Sequence, residues 1–431
     1  MSAPRPPTLR QAPEFVKLWA AQTVSLFGSQ VTGLALPLTA AVTLHASAAQ
    51  MGVLGAAEYL PFLLIGLVAG VWVDRLRRRP LMVVADLGRA VILGCVPIAA
   101  LAHVLRIEYL YAVAFLAGVL TVFFDVAYTS FLPALIERTQ LVEGNSKLEG
   151  SAATAQLTGP GIAGVLVQLV TGPLAIAVDA VSFLLSAVLV GAIRITEPAP
   201  GSRTQGQHLW GELTAGLRLL LGHPLTRPVA VGAAMGALFS NVAGAVFVLY
   251  ATRDLHLGPA LLGLVFLAGG AGAILGAVLC ARLARRWQVG RSIVGGLVLA
   301  YVPRLLVPFV GGPQAVVVAT LMGVQFVSGL AFIVWDINQL TLRQAVTPDR
   351  ALGRLNASFR FLVWGAIPIG SLVGGWLGTT LGLQAALLIG SGGALLAPVW
   401  IGFSPVRALR EHPSLPGDVT VESAPDTPPV A

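Results

Sequence analysis

Residues 70–79 read Gly-Val-Trp-Val-Asp-Arg-Leu-Arg-Arg-Arg, a short basic turn between two long apolar runs. The run before the turn covers about residues 50–73, and the run after it covers about residues 80–105. Each run is long enough to cross a bilayer as a helix, which takes about 20 apolar residues. The stretch therefore predicts a helical hairpin in a membrane, with arginines at its turn.

The rest of the chain repeats this pattern. Of its 431 residues, 56% are apolar and only 11% are charged, against roughly 25% charged residues in an average soluble domain. This balance excludes a soluble enzyme, a disordered protein and a secreted disulfide scaffold, and the long continuous runs argue against a β-barrel. We predict an all-α polytopic membrane protein with twelve transmembrane helices. The predicted spans are 16–44, 50–73, 80–105, 109–133, 149–170, 173–194, 227–252, 259–282, 290–310, 313–341, 358–381 and 383–403.

The spacing of these spans divides the chain into two halves of six helices. We predict a cytoplasmic tail at 1–14, halves at 15–194 and 227–403, a cytoplasmic loop at 195–226, and a disordered cytoplasmic tail at 404–431. Within the loop, apolar residues recur at helical spacing and predict an amphipathic helix. They are Trp210, Leu213, Leu217, Leu220 and Leu221. This helix could lie at the membrane interface or pack against the bundle, and the second interpretation is slightly favoured.

Arginine and lysine lie almost entirely in every second connection between the predicted spans, which places them on one side of the membrane. With the N-terminus inside, the outer connections hold only Arg106 and Arg253. Basic residues concentrate in cytoplasmic loops, so we predict that both termini are cytoplasmic in a multi-pass protein of the cytoplasmic membrane. The same distribution accounts for the formal charge of +8 without invoking nucleic acid.

The two halves are related by an internal repeat with an offset of 211 residues. Four separated regions match at this one offset. The matches include Gly52 with Gly263, Asp125 with Asp336, Asn145 with Asn356, and Gly164 with Gly375. A parallel repeat of six-helix halves is typical of transporters whose site lies between the halves near the membrane midplane.

The basic turn resembles the signature of the major facilitator superfamily between its second and third helices. The residues that carry the resemblance are Gly70, Asp74, Arg75, Arg78 and Arg79. The alternative is a turn that only carries positive charge on the inner side. The resemblance implies that a carboxylate on the fourth helix, here Asp125, pairs with an arginine of the motif. By position that arginine is Arg78, and an Asp74–Arg78–Asp125 network would close the inner side in the outward-open state.

The fifth predicted helix resembles the antiporter motif of the same superfamily. Its residues are Gly150, Gly159, Pro160, Gly161 and Gly164, and Ala163 stands where the family usually has a further glycine. Small residues form a smooth face for a neighbouring helix, and glycine-rich membrane helices without this function are also common.

Further stretches at residues 123–148, 178–183 and 343–356 resemble one branch of the superfamily, the drug:proton antiporter-3 group. That group includes macrolide-efflux and enterobactin-exporter types. The resemblance runs from about residue 14 to residue 403 and does not specify the cargo, because members export chemically different molecules.

A few charges fall within the predicted spans, where they are costly and need a partner or a function. Glu58 is the first candidate for proton coupling and Asp179 is the second, since burial favours the protonated form of a carboxyl group. For both, the alternative is a hydrogen bond that packs two helices. Asp86 and Arg89 are three residues apart on one helix, which predicts a local ion pair.

Several polar and aromatic residues are candidates for the lining of a substrate cavity. They are Gln30, Asn241, Arg304, Trp335 and Asp336. Arg304 could instead extend outward, and Asp336 could instead be the counterpart of Asp125 in the second half.

Together these features predict a secondary active transporter that exports small hydrophobic or amphipathic molecules by alternating access. The cargo would be of the drug, antibiotic or siderophore class, with the proton gradient as the energy source and no cofactor. Expected partners are the substrate, protons and the lipid bilayer, and a monomer is expected. The alternatives are an uptake transporter for a metabolite and a non-transporting receptor or scaffold. No phosphate-binding loop, metal-ligand cluster or nucleophile–base arrangement occurs in the sequence, so we do not expect an enzyme.

Overall fold

The computed structural model describes Leu9 and residues 12–195 and 209–411 of the chain. This part of the chain is built from α-helices, with short 3₁₀ and π-helical segments at some of their ends. The helices are α1 (Pro13–Leu38), α2 (Ala48–Asp74), α3 (Arg78–Leu101), α4 (Ile107–Leu135), α5 (Leu141–Val170), α6 (Gly172–Gly191), α7 (Leu209–Gly222), α8 (Thr226–Arg253), α9 (Pro259–Trp287), α10 (Val289–Tyr301), α11 (Gln314–Ala345), α12 (Asp349–Thr380), α13 (Leu383–Ala394) and α14 (Leu396–Gly402).

Twelve helical spans in the described residues are long and apolar enough to cross a membrane, which confirms the predicted fold class. The ninth span joins α10 to a 3₁₀ segment that ends at Phe309, and the twelfth joins α13 to α14. Two helices begin earlier than predicted, α5 at Leu141 and α12 at Asp349. Their first turns are polar, and hydropathy alone does not detect helix outside the hydrocarbon layer.

The two halves share one packing pattern. In the first half, α1 packs against α5 and α6; in the second, α8 packs against α12 and α13. These helices correspond under the sequence repeat, so the repeat found in the sequence is a repeat of structure. The halves meet along two seams, α2 against α12 and α5 against α9.

Helix α7 connects the halves and packs against the bundle, as the favoured interpretation of the loop expected. It lies against α12 and α8. Leu213 and Leu220 are buried there, and the hydroxyl of Ser358 on α12 donates to the Leu213 carbonyl at 3.4 Å. Leu221 remains exposed, and the side chain of Trp210 lies outside the described residues.

The segment after the last span corrects the prediction of disorder from residue 404. Pro405–Ala408 forms a 3₁₀ turn whose Val406 is fully buried. The backbone N–H of Gly290 donates to the Leu409 carbonyl at 2.9 Å. This backbone pairing holds the segment against the start of α10, so residues 405–409 are structured. Residues 412–431 lie outside the described part, as do 1–8, 10–11 and 196–208.

Because the chain crosses the bundle twelve times, both ends of the described chain lie on one face. We call this the terminal face. The opposite face carries the connections that follow α1, α3, α5, α8 and α12, as well as the connection after the 3₁₀ segment that ends at Phe309.

Candidate functional site

The arginines of the basic turn differ in their surroundings. Arg79 donates from Nε to the Val190 carbonyl at 3.3 Å, and its Nη2 bonds the Gly191 carbonyl. These carbonyls end α6, where a cation is favourable, so Arg79 ties the basic turn to the end of α6. Arg75 is exposed. The side chain of Asp74 and the surroundings of Gly70 lie outside the described residues.

Asp125 has partners other than the one the resemblance implied. In this conformation its carboxylate interacts electrostatically with Arg89 on α3 and Arg360 on α12. The close ion pairs among the described side chains do not include one between Asp125 and Arg78. Because the Asp74–Arg78–Asp125 network was expected for the outward-open state, it stays a prediction for that state.

Arg89 occupies the centre of a buried polar cluster in the first half. It forms the predicted ion pair with Asp86, which also accepts from the Ser186 hydroxyl at 2.7 Å. Its guanidinium carbon lies 4.1 Å from the ring centroid of Phe183 and 4.5 Å from that of Phe124. The cluster ties α3 to α4 and α6, which indicates a role in holding the half together.

We expect Asp86→Asn to destabilise the protein, because it leaves the buried Arg89 without its closest counter-charge. Removing one partner of a buried ion pair costs about 3–5 kcal/mol, and we expect the lower end because Asp125 and Asp179 also interact with Arg89. Thermal unfolding in detergent measures the loss. The matched control is Glu143→Gln, which breaks a more exposed 3.3 Å pair with Lys147 and should cost well under 1 kcal/mol. Equal losses in the two variants would contradict the prediction.

The two candidates for proton coupling lie in different surroundings. Asp179 is 1% exposed and accepts from the hydroxyls of Thr32 at 2.5 Å and Ser182 at 2.9 Å. This is the helix-packing arrangement that the sequence left open. The Glu58 side chain lies on the outer surface of α2 in the bundle, one turn before Phe62, so the two share a helix face. Of the two carboxylates, Glu58 is the one that is not held in a packing contact between helices of the described residues, and its coupling role stays a prediction.

A pocket lies where α2 and α4 of the first half meet α12 of the second. Its lining includes Phe62, Asp125, Thr129, Arg360 and Trp364. Arg360 was not among the candidates from the sequence, although it lies inside the eleventh predicted span. A basic residue two positions inside that span resembles an end-of-helix arginine, and only the position of α12 brings it to Asp125.

The antiporter-like motif on α5 forms part of one seam between the halves. A Cβ atom built on Gly164 would lie 2.5 Å from the Pro259 carbonyl oxygen and 2.8 Å from the Cα of Gly263. Only glycine allows this backbone approach. Gly161 faces Leu267 across the same seam, at 3.5 Å from a built Cβ.

The remaining glycines of the motif do not meet the second half. Gly159 gives room to Gln30 of α1, with a built Cβ 2.7 Å from the Gln30 Cγ. Gly150 has no atom within 4 Å of a built Cβ, so no packing contact explains it.

The other seam repeats the glycine contact. A Cβ atom on Gly52 of α2 would lie 2.5 Å from the Ser371 carbonyl oxygen and 2.8 Å from the Cα of Gly375 on α12. Gly52 and Gly263 correspond under the repeat, as do Gly164 and Gly375. The sequence matched these glycines within the repeat, and the structure brings each of them against a glycine of the other half.

Both glycine pairs lie near the opposite face. Two further contacts join the halves there. The Ala49 N–H donates to the Thr379 hydroxyl at 3.0 Å, and the Arg253 guanidinium donates to the Ala46 carbonyl at 2.9 Å. The halves are therefore packed together at the opposite face.

Trp335 and Asp336, two of the cavity candidates in the second half, lie in different environments. Trp335 corrects the cavity prediction: it is 5% exposed and packs in the core of its half, because Gly296 on α10 leaves room for it. Asp336 accepts from Gln339 at 2.9 Å and interacts with Arg343. That position favours the second alternative from the sequence, in which Asp336 is the counterpart of Asp125 in the second half.

Arg304 contacts a neighbouring helix, and Asn241 contacts its own. Arg304 reaches the Ser240 hydroxyl at 3.5 Å and lies 5.6 Å from the ring centroid of Tyr301. It therefore points into the second half rather than outward. The Asn241 amide donates to the Ala237 carbonyl of its own helix at 2.8 Å.

Two repeated helical halves that meet at two seams, with a charged pocket beside one of them, are the architecture of a secondary transporter of the cell membrane. A family model described as Major Facilitator Superfamily matches residues 18–366. The chain belongs to the Major Facilitator Superfamily.

Curated relatives match between about half and nearly all of the chain. "Multidrug efflux pump Tap" of Mycolicibacterium fortuitum is 27% identical over 93% of this chain and 97% of the relative. "Enterobactin exporter EntS" of Citrobacter koseri is 28% identical over 91% of this chain and 88% of the relative. "Macrolide efflux protein A" of Streptococcus pyogenes is 26% identical over 44% of this chain and 47% of the relative. These relatives agree with the branch that the sequence resembled.

Solved structures share the fold at low identity. A crystal structure of a mutant of the nucleoside transporter NupG has a TM-score of 0.74 at 13% identity, covering 91% of this chain and 99% of that one. A bacterial homologue of the iron transporter ferroportin in its inward-facing state has a TM-score of 0.70 at 18% identity, covering 92% and 98%.

Proposed function

We propose that the protein exports small amphipathic molecules from the cytoplasm by alternating access, driven by protons that enter from outside. The observation that carries this proposal is the pair of glycine contacts at the opposite face, one of which uses the antiporter-like motif of α5. Such contacts allow the halves to close tightly at one face while a pocket between them stays accessible.

The named activities of the relatives support export rather than uptake. A multidrug efflux pump and an enterobactin exporter align over most of the chain. Their cargoes differ chemically, so the proposal extends to drug-like or siderophore-like molecules as a class and not to one compound.

The distribution of basic residues supports a cytoplasmic terminal face. With that orientation, the closed opposite face is the outer face and the protein is in an inward-facing state. The ferroportin homologue agrees with this assignment, since its TM-score is 0.70 in the inward-facing state and 0.58 in the outward-facing state. A substrate would enter the pocket from the cytoplasm in this state.

The proposed cycle needs the proton gradient as its energy source and no cofactor. Glu58 is the proposed proton acceptor because it is a carboxylate within a membrane span and lies one turn from Phe62 of the pocket, on the same helix face. Binding of a proton there would favour the return from the outward-facing to the inward-facing state. The lipid bilayer and the substrate are the other partners, and the monomer is the proposed unit.

A direction-resolved flux assay tests the proposal. In inverted membrane vesicles with an acidic interior, we expect pH-gradient-driven accumulation of norfloxacin, abolished by a protonophore. Vesicles with the Glu58→Gln variant are the control for coupling. Accumulation only in right-side-out vesicles would establish uptake, and no flux in either orientation for a panel of drugs and siderophores would favour a receptor or scaffold.

A further inference from the structure

The pocket beside the α2–α12 seam combines one charge of each sign, and each comes from a different half. Asp125 on α4 supplies the carboxylate, and Arg360 on α12 supplies the guanidinium. The pocket has a volume of about 230 Å³. Charged groups are rare within membrane spans and are costly unless they have partners or a function.

The two charges are close enough to interact and too far apart to satisfy each other. They interact electrostatically, but no Arg360 nitrogen lies within 4.0 Å of an Asp125 oxygen among the close ion pairs of the described residues. Thr129, one turn from Asp125, also lines this pocket, and its hydroxyl donates to the Val126 carbonyl at 3.0 Å. Both charges line the same pocket without a direct ion pair, so each can bind a group of a molecule held there.

An aromatic wall runs beside the charges. The Arg360 guanidinium carbon lies 4.3 Å from the ring centroid of Trp364. Trp364 in turn meets Phe62 of the first half edge to face, with centroids 4.9 Å apart and planes at 81°. A planar ring system can pack against such a surface.

An apolar pocket continues from this one. The two pockets share Leu63, Phe361 and Gly365, and the second pocket has a volume of about 460 Å³ with apolar side chains around it. The apolar part of a ligand has room there, while its polar groups stay near Asp125 and Arg360.

We propose that this pocket binds amphoteric aromatic molecules, with a basic nitrogen at Asp125, an acidic group at Arg360 and a flat ring system along Trp364. The proposal rests on the proposed function and names its substrate class. A purely cationic ligand leaves Arg360 uncompensated and faces its repulsion, and a purely anionic ligand meets the same problem at Asp125. A molecule with both groups satisfies both sites.

The arrangement also links binding to the movement of the halves. Because Asp125 and Arg360 belong to different halves, a ligand that holds both charges fixes their separation. Its affinity then depends on the relative position of the halves, which is the requirement for a ligand to shift a conformational equilibrium.

Binding to the purified full chain in nanodiscs tests the proposal with three probes. These are norfloxacin, its ethyl ester, which lacks the acid, and its N-acetyl derivative, which lacks the basic amine. We expect norfloxacin to bind about tenfold more tightly than either derivative, because each derivative loses a hydrogen bond to a charged group. Titration calorimetry measures the three affinities.

The variants separate the two charges. Arg360→Gln should remove the preference for norfloxacin over the ester and keep the preference over the N-acetyl derivative, and Asp125→Asn should do the reverse. Arg360→Lys should restore part of the lost preference, which a merely misfolded pocket would not. Glu108→Gln and Arg407→Gln remove exposed charges outside the pocket and should change no ratio.

The proposal is overturned if both pocket variants weaken the three probes equally, or if the wild type binds all three alike. Flux in proteoliposomes separates this failure from failure of the proposed function. Driven transport of ethidium without selectivity among the three probes would refute only the substrate class. Charge-selective binding without flux of any compound would refute the transport proposal and keep the site.

Discussion

Gly164→Ala should shift the protein out of the state that is closed at the opposite face and should slow transport. The added methyl would lie 2.5 Å from the Pro259 carbonyl oxygen, so backbone must move apart. Overpacking of this kind costs about 1–3 kcal/mol, and 1–3 kcal/mol changes an equilibrium by roughly 5- to 150-fold. Gly263→Ala, on the other side of the same seam, should have a similar effect.

Spin labels on cysteines at His45 and Asp254, in a background without native cysteine, measure this shift. Both positions are exposed and adjoin the Arg253–Ala46 contact between the halves. A second population at longer distance should appear in each glycine variant. Gly150→Ala is the matched control, because it lies on the same helix with open space around it.

The repeat extends the prediction to the other seam. Gly52→Ala and Gly375→Ala should give the same longer-distance population, since their built Cβ atoms lie 2.8 Å and 2.9 Å from the Cα atom of the facing glycine. If all four variants kept the wild-type distance distribution, the glycine pairs would not control closure at this face.

Glu58→Gln should abolish proton-driven transport and leave substrate binding intact. Glutamine keeps the shape and hydrogen-bonding capacity of the side chain but cannot take up a proton. Ionisable groups within membrane spans mark proton pathways, so we expect the pH-gradient-driven flux to fall by roughly tenfold or more. Exchange of labelled for unlabelled substrate, which needs no net proton movement, should continue.

Proteoliposomes with an imposed pH gradient measure both activities. Glu108→Gln, which removes an exposed carboxylate at the opposite face, should leave both unchanged. The competing assignment predicts that Asp179→Asn abolishes the driven flux while Glu58→Gln does not. That result would move the coupling site into the packing contact with Thr32 and Ser182.

The features that the sequence predicted correctly are those set by local composition or by the repeat. Twelve spans followed from hydropathy, because a bilayer imposes a length on each apolar helix. The Asp86–Arg89 pair followed from the spacing of three on one helix. The family followed from the basic turn and the fifth helix.

The differences concern side chains and segments whose neighbours come from other helices. Trp335 was expected in the cavity but fills a space opposite Gly296, and Asp125 interacts in this conformation with Arg360, which the sequence did not single out. The early part of the C-terminal tail was expected to be disordered, but it pairs through backbone with the start of α10.

The helices, their number and their division into two related halves can be derived from the residues alone, because burial in lipid and chain periodicity are properties of each segment. Which helix faces meet depends on packing between segments that are distant in the chain. Gly52 and Gly164 are equivalent to glycines of the other half in the repeat, but only the packing of the halves sets them against Gly375 and Gly263. Arg360 likewise became part of a site only because the seam between α2 and α12 places it opposite a carboxylate of the other half.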